Sequence, residues 1–240
     1  MKCLGLIGSL TAPNLESYYR TIRNEAQKSL GADQLPEFLL HCVKTREIRA
    51  HLARADWPGV TGELIESGRK LIDAGAEGLV ICGSALNPVA AEVWRVLSVP
   101  VIDLGYSVAV KLRALQHGSV SVLGCRSPEE EAMWEDKLED VTVVPLSRAD
   151  RAWLLGCMDA SGGGHSIPLQ WKIDANRVIS GLRRSGARAL VLAEPSLSQW
   201  ILPGESLLYP IDAVEVHAWI AALWALESRS LPTPPCLIEC

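Results

Sequence analysis

The sequence predicts an α/β protein of two pseudo-symmetric lobes, each a mostly parallel sheet flanked by helices, with a cleft between them. Three observations predict it. Short apolar runs alternate with longer segments of helical periodicity, the pattern of parallel strands covered on both faces. A motif occurs twice: Gly75-Ala76-Glu77-Gly78-Leu79-Val80-Ile81-Cys82 returns as Gly186-Ala187-Arg188-Ala189-Leu190-Val191-Leu192-Ala193, followed by Glu194. Two further pairs keep the same order: Leu4-Gly5-Leu6-Ile7-Gly8-Ser9 with Val120-Ser121-Val122-Leu123-Gly124-Cys125, and Pro100-Val101-Ile102-Asp103 with Pro210-Ile211-Asp212. Three matches in register point to a duplicated unit.

The elements follow in order. Met1 to Gly8 reads as a first buried strand; its apolar stretch is too short for a signal peptide, and polar and charged residues follow at once. Val60 to Ala74 places Leu64, Ile65, Leu71 and Ile72 at helical spacing, with Gly75 as the stop. Glu129 to Leu138 is a charged helix, for which Ser127 supplies the N-cap and Pro128 the first turn. Asp174 to Ser185 carries Val178, Ile179 and Leu182 on one face and stops at Gly186. Val214 to Ser228 is a last helix expected to return to the first lobe, and Leu231 to Cys240, with three Pro, an extended tail. The expected division is residues 1–100 plus 211–240 for the first lobe and 101–210 for the second.

Composition bounds the function. The chain has 240 residues, 48% hydrophobic and 21% charged, long enough to bury a sizeable core. A net charge of -5 leaves no basic footprint for nucleic acid or an anionic membrane. No apolar run approaches the roughly 18 to 20 residues of a spanning helix. The seven Cys are odd in number, scattered and without CxxC, so free thiols in a reducing, cytoplasmic setting are expected. The five His are not spaced with them as a zinc ligand set, and no metal is expected.

In open parallel sheets ligands sit at the carboxyl ends of the strands, so the active site is expected in the cleft. Ser9, Cys82, Cys125 and Glu194 fall at those ends. Cys82, before Gly83-Ser84, has two readings: a small buried hydrophobe, or a thiol whose thiolate a helix N-terminus favours, suited to a general base. Glu194, after five apolar residues and before Pro195-Ser196, is a solvated loop charge or an acid placed at the cleft, where desolvation would raise its pKa. The loops Ser9-Leu10-Thr11 and Gly124-Cys125-Arg126-Ser127 offer N–H groups and hydroxyls for a carboxylate, against ordinary helix capping. Ser161-Gly162-Gly163-Gly164-His165-Ser166 lacks a Walker pattern and reads as a loop, or a lid beside the cleft. His217 reads as a core or capping His, and no Gly-x-Ser-x-Gly elbow supports a serine hydrolase.

These segments together resemble the aspartate/glutamate racemase superfamily over most of the chain. Leu4 to Gly8 with Tyr18-Tyr19-Arg20 resembles its opening strand and helix; Leu40-His41-Cys42-Val43, Glu47-Ile48 and Asp56-Trp57 its next segment; Ala74-Gly75-Ala76 through Cys82 the strand bearing its first catalytic cysteine; Asp212 and His217 a late Asp and His. The resemblance implies two α/β lobes, no cofactor, a small carboxylate-bearing substrate and a homodimer. It implies two cysteines on opposite faces of a substrate Cα, with strand-end amides and hydroxyls holding the carboxylates.

The chain departs from that pattern. Gly83-Ser84-Ala85 stands where Thr-Asn-Thr is usual, Gly124-Cys125 replaces a Gly-Thr loop, and Pro13 falls at an acidic position. Ala193-Glu194-Pro195-Ser196 stands at Gly-Cys-Thr-Glu, so Glu194 takes the place of the second cysteine, although counting from the repeat alone pairs Cys82 with Ala193. The leading expectation is an aspartate/glutamate-like amino-acid racemase or epimerase using Cys82 and Glu194. The expected substrate-binding residues are Ser9, Leu10, Thr11, Gly83, Ser84, Gly124, Cys125, Arg126, Ser127, Pro195, Ser196 and His217. Alternatives are a decarboxylase- or maleate-isomerase-like enzyme using Cys82 alone, and a non-catalytic carboxylate-binding protein.

Overall fold

The computed structural model describes residues 1–8, 10, 12–31, 36–97, 99–161, 167–202 and 208–226. The first lobe runs β1 (Leu4–Ile7), α1 (Ala12–Leu30), β2 (Phe38–His41), α2 (Thr45–Leu52), α3 (Trp57–Asp73), β3 (Gly78–Ile81), a 3₁₀ turn (Ser84–Val89), α4 (Ala90–Leu97) and β4 (Val101–Ile102). The second runs α5 (Leu104–Ala114), β5 (Ser119–Leu123), α6 (Pro128–Lys137), β6 (Thr142–Val143), α7 (Arg148–Ala160), α8 (Leu169–Arg184), β7 (Ala189–Leu192), a second 3₁₀ turn (Pro195–Trp200) and β8 (Tyr209–Asp212); α9 (Ala213–Leu226) closes the described chain.

All strand pairs are parallel, in the orders β2-β1-β3-β4 and β6-β5-β7-β8. The repeated sequence is a repeated fold: Leu6 pairs with Val80, and Val122 with Val191 at the matching place. The repeat extends to hydrogen bonds. At the end of α3, Gly75 N–H donates to Ile72 O and Ala76 N–H to Leu71 O; at the end of α8, Gly186 N–H donates to Arg183 O and Ala187 N–H to Leu182 O. Both glycines sit at positive φ, +109° and +105°, the left-handed stop this motif requires.

The sheet register corrects the expected division. Val101 pairs with Leu79 and Ile102 with Val80, so β4 belongs to the first lobe. Ile211 and Asp212 pair with Val191 and Leu192, so β8 belongs to the second. β4 pairs through two apolar residues, whereas β8 pairs through all four of its residues. α9 packs on α1 and α5, and its Val214, Ala218 and Ala222 share a core with Leu4, Leu6 and Val80 of the first sheet. It is apolar nearly all round because both lobes cover it. Among the described residues no helix is long and apolar enough to cross a membrane. The expected tail, 231–240, lies outside the described residues.

Alternate residues of each strand feed the two faces: Leu4, Leu6 and Val80 pack toward α9, while Ile7, Leu79 and Ile81 pack toward α3 and α4. Gly78 has no side chain because Trp224 lies against it; a Cβ there would fall 2.4 Å from one ring atom and under 3 Å from two others. A rigid indole cannot yield as a flexible chain does. Gly78→Ala is therefore expected to destabilise the protein by about 1–3 kcal/mol, read by urea unfolding.

Candidate active site

Both lobes end their strands at one cleft of about 800 Å³, and Cys82 and Glu194 both line it. Cys82 follows β3 and Glu194 lies two residues beyond β7. Ala193, the position that simple counting pairs with Cys82, is fully buried in the core with Val191 and does not line the cleft among the described residues. The extra residue in the second lobe thus turns the carboxylate, not the methyl, toward the first.

The loop after Cys82 is pinned from three sides. Gly83 takes φ +98°, which only glycine adopts easily. Asn87 donates through Nδ2 to the carbonyls of Ile81 (2.9 Å) and Gly83 (2.7 Å). From α1, the Tyr18 hydroxyl accepts from Gly83 N–H at 3.4 Å and lies 2.6 Å from His217 Nδ1. His217 Nε2 lies 2.8 Å from Ile102 O, which can only accept, so Nε2 carries the hydrogen and Nδ1 accepts from Tyr18. Burial holds the ring neutral, with its pKa lowered to about 4. His217 was expected to bind substrate; instead it is fully buried with both ring nitrogens engaged, and acts through Tyr18 on the Cys82 loop. Tyr18→Phe leaves Gly83 N–H and His217 Nδ1 without this partner. A stability loss of about 1–3 kcal/mol is expected, with a larger fall in kcat than rise in KM.

The Cys82 thiol is fully buried, and burial pushes its pKa well above the ordinary thiol range, with Cys42 acting in the same direction. Of the two readings of Cys82, the structure matches the buried one: a 3₁₀ turn of six residues follows, and desolvation dominates. The resting group is the protonated thiol. Glu194 is raised by burial to about 7; Arg126 lowers it, while Glu130 and Asp212 raise it. Its Oε1 lies 3.9 Å from Arg126 Nε, and the guanidinium itself binds Asp159 at 2.6 Å through Nη1. One group thus rests protonated, and the other exchanges protons near neutrality.

The start of α6 differs from expectation. Ser127 caps it by accepting from Glu130 N–H, but the loop does not wait open for a substrate carboxylate. Glu130, 1% exposed, fills that place itself: Oε2 accepts from Arg126 N–H at 2.9 Å, and Oε1 accepts from the Ser84 hydroxyl at 2.5 Å, across the lobes. The Ser-x-x-Glu spacing of a capping box was the legible signal for this residue.

Of the other expected residues, Leu10, Gly83, Arg126, Ser127 and Ser196 line the cleft; Ser84 serves Glu130, and Pro195 begins the second 3₁₀ turn. Gly124 and Cys125 line a separate cavity of about 200 Å³ beside α7, and Gly124 turns the chain there at φ +99°, which glycine adopts without strain. Ser9 and Thr11 lie outside the described residues, as do residues 162–166 of the expected lid; Ser161 lines the cleft. Sequence reasoning passed over Arg49 of α2, a cleft-lining cation. Its Nη2 lies 3.4 Å from Leu10 O, and it makes no ion pair among the described residues. Trp57, Met158 and Asp159 were missed as cleft residues as well. Among the described residues no group of three or more His, Cys, Asp or Glu is placed to hold a metal ion.

The Asp/Glu/Hydantoin racemase family model matches residues 7–221. A candidate Asp/Glu racemase from Yersinia pestis superposes with a TM-score of 0.87 at 23% identity, over 95% of this chain and 100% of that one. An aspartate racemase homologue from Pyrococcus horikoshii superposes at 0.81 with 21% identity, over the same shares. Unliganded arylmalonate decarboxylase superposes at 0.53 with 13% identity, over 98% and 97%. These likenesses show the fold, and the family match extends from β1 to α9: the chain belongs to the Asp/Glu/Hydantoin racemase family.

Proposed function

We propose that this protein transfers protons at a carbon next to a carboxylate, as an amino-acid racemase or epimerase, with Cys82 and Glu194 serving opposite faces of the substrate. The observation that carries the reading is that an acid and a base in complementary resting states line one cleft from two lobes. The Glu194 carboxylate takes the Cα proton, the electron pair moves into the carboxylate as an enediolate, and the Cys82 thiol returns a proton to the other face. That leaves protonated Glu194 and a Cys82 thiolate, which run the reverse direction. Matching Glu194 to neutral pH makes it an efficient proton carrier. Arg49 is the group suited to hold the substrate carboxylate and the charge that develops on it.

A second reading is favoured by the resting thiol. A decarboxylase- or isomerase-like enzyme needs only one proton donated to an enediolate, and Cys82 rests as that donor. Proton NMR in deuterium oxide separates the two. Deuterium entering Cα with loss of optical rotation of an amino acid supports the racemase, and carbon dioxide release from a substituted malonate supports the lyase. Saturable binding with neither reaction would sink both. The reading includes a homodimer and a cytoplasmic setting, the latter in keeping with the free thiols of Cys3, Cys42, Cys82, Cys125 and Cys157.

A further inference from the structure

We infer that the substrate is a monocarboxylate carrying a bulky apolar substituent, aryl or branched alkyl, at the reacting carbon, and not a dicarboxylate such as aspartate or glutamate. The inference rests on the proposed reading only for where the reacting carbon sits; the lining of the cleft carries the rest. A dicarboxylate needs two anion sites, and the second lobe has used its own. The anion position at the start of α6 holds Glu130, which accepts from Arg126 N–H and the Ser84 hydroxyl. The Arg126 guanidinium holds Asp159 and faces Glu194. Glu129 also lines this side, so a second substrate carboxylate would meet four protein carboxyl groups there. Like charges in a partly desolvated cleft repel strongly. Arg49, on the first lobe, is the one cleft cation without an ion pair among the described residues, and it supplies a single carboxylate anchor.

Asn14, Ser127, Ser161 and Ser196 share the rest of the wall with a group of apolar side chains. Leu10, Leu52, Trp57 and Leu86 from the first lobe and Met158 from the second line the same space. The volume, about 800 Å³, lies toward the upper end of the roughly 300–1,000 Å³ that hold drug-sized ligands, far more room than a four- or five-carbon diacid fills. A planar or branched group has Trp57, Leu86 and the adaptable Met158 to pack against.

The test is equilibrium binding by titration calorimetry on the full chain, with phenylacetate and 4-methylpentanoate against succinate and glutarate. At least about tenfold tighter binding of the two monocarboxylates is expected. Arg49→Met should weaken phenylacetate about tenfold or more, with Arg49→Lys recovering part of the loss; circular dichroism confirms that each variant is folded. Repeating the titrations in Cys82→Ala/Glu194→Gln separates binding from turnover: the ligand ranking should persist whether or not the parent protein exchanges protons. Equal or tighter binding of succinate or glutarate, absence of saturable phenylacetate binding, or Arg49→Met binding as the parent does, each overturns the inference, whatever the exchange assay shows.

Discussion

Cys82→Ala is expected to lower racemisation, followed as loss of optical rotation, by about 10³-fold or more while the protein stays folded. General acid–base groups contribute about 10²–10⁴-fold, and here no second thiol lines the cleft among the described residues to take over. Alanine fits because the side chain sits among Leu4, Leu6, Val80 and Tyr18 and makes one long contact, Sγ to Val80 O at 3.9 Å. The loop keeps its shape through Asn87, Tyr18 and Ser84, none of which bonds the sulfur. Full activity in this variant would remove Cys82 from the mechanism, and a loss of folding would make it merely structural.

Glu194→Gln is expected to be as damaging to activity and to make the protein more stable at alkaline pH. The sign follows from the raised pKa. Between the unfolded carboxyl value and about 7, the folded protein binds more protons than the unfolded chain, so the contribution of Glu194 to stability falls as pH rises through that window. Each unit is about 1.4 kcal/mol, so above pH 7 the buried carboxylate costs on the order of 3 kcal/mol. Glutamine carries no charge and escapes that cost. Urea unfolding at pH 5 and pH 8 should show the variant gaining relative to the parent only at the higher pH. In the parent, either direction needs one proton shared between Cys82 and Glu194, so the rates in both directions should rise together with pH through about 7.

Much of this was legible in the sequence because it was written twice. The Gly-Ala pairs at 75–76 and 186–187 end helices with the same hydrogen bonds, and the strands after them pair in the same register. Ser127-Pro128 named the start of α6. The lobe boundaries slipped because β4 pairs through only two residues, too few for periodicity to assign to a sheet. The proton affinities of Cys82 and Glu194 depend on how deeply two lobes bury them; the sequence left two readings open for each, and the short turn after Cys82 that decides against the helix-terminus reading is invisible in composition. The Ser84–Glu130 bond joins residues far apart in the chain and on different lobes. His217 reads from its residues as a core His and from its resemblance to a late His of the family as a site residue; packing matches the first, with Tyr18 and Ile102 taking both its nitrogens.

We propose that Cys82 and Glu194 work on opposite faces of one bound substrate. This arrangement is tested most directly by proton NMR of single enantiomers in deuterium oxide, using the Cys82→Ala and Glu194→Gln variants. Each variant keeps one of the two groups, so Cys82→Ala should exchange the Cα proton of one enantiomer without inverting it. Glu194→Gln should exchange only the other enantiomer, and more slowly, because its remaining thiol rests protonated. Exchange of the same enantiomer by both variants, or full racemisation by either, would rule out the opposite-face arrangement.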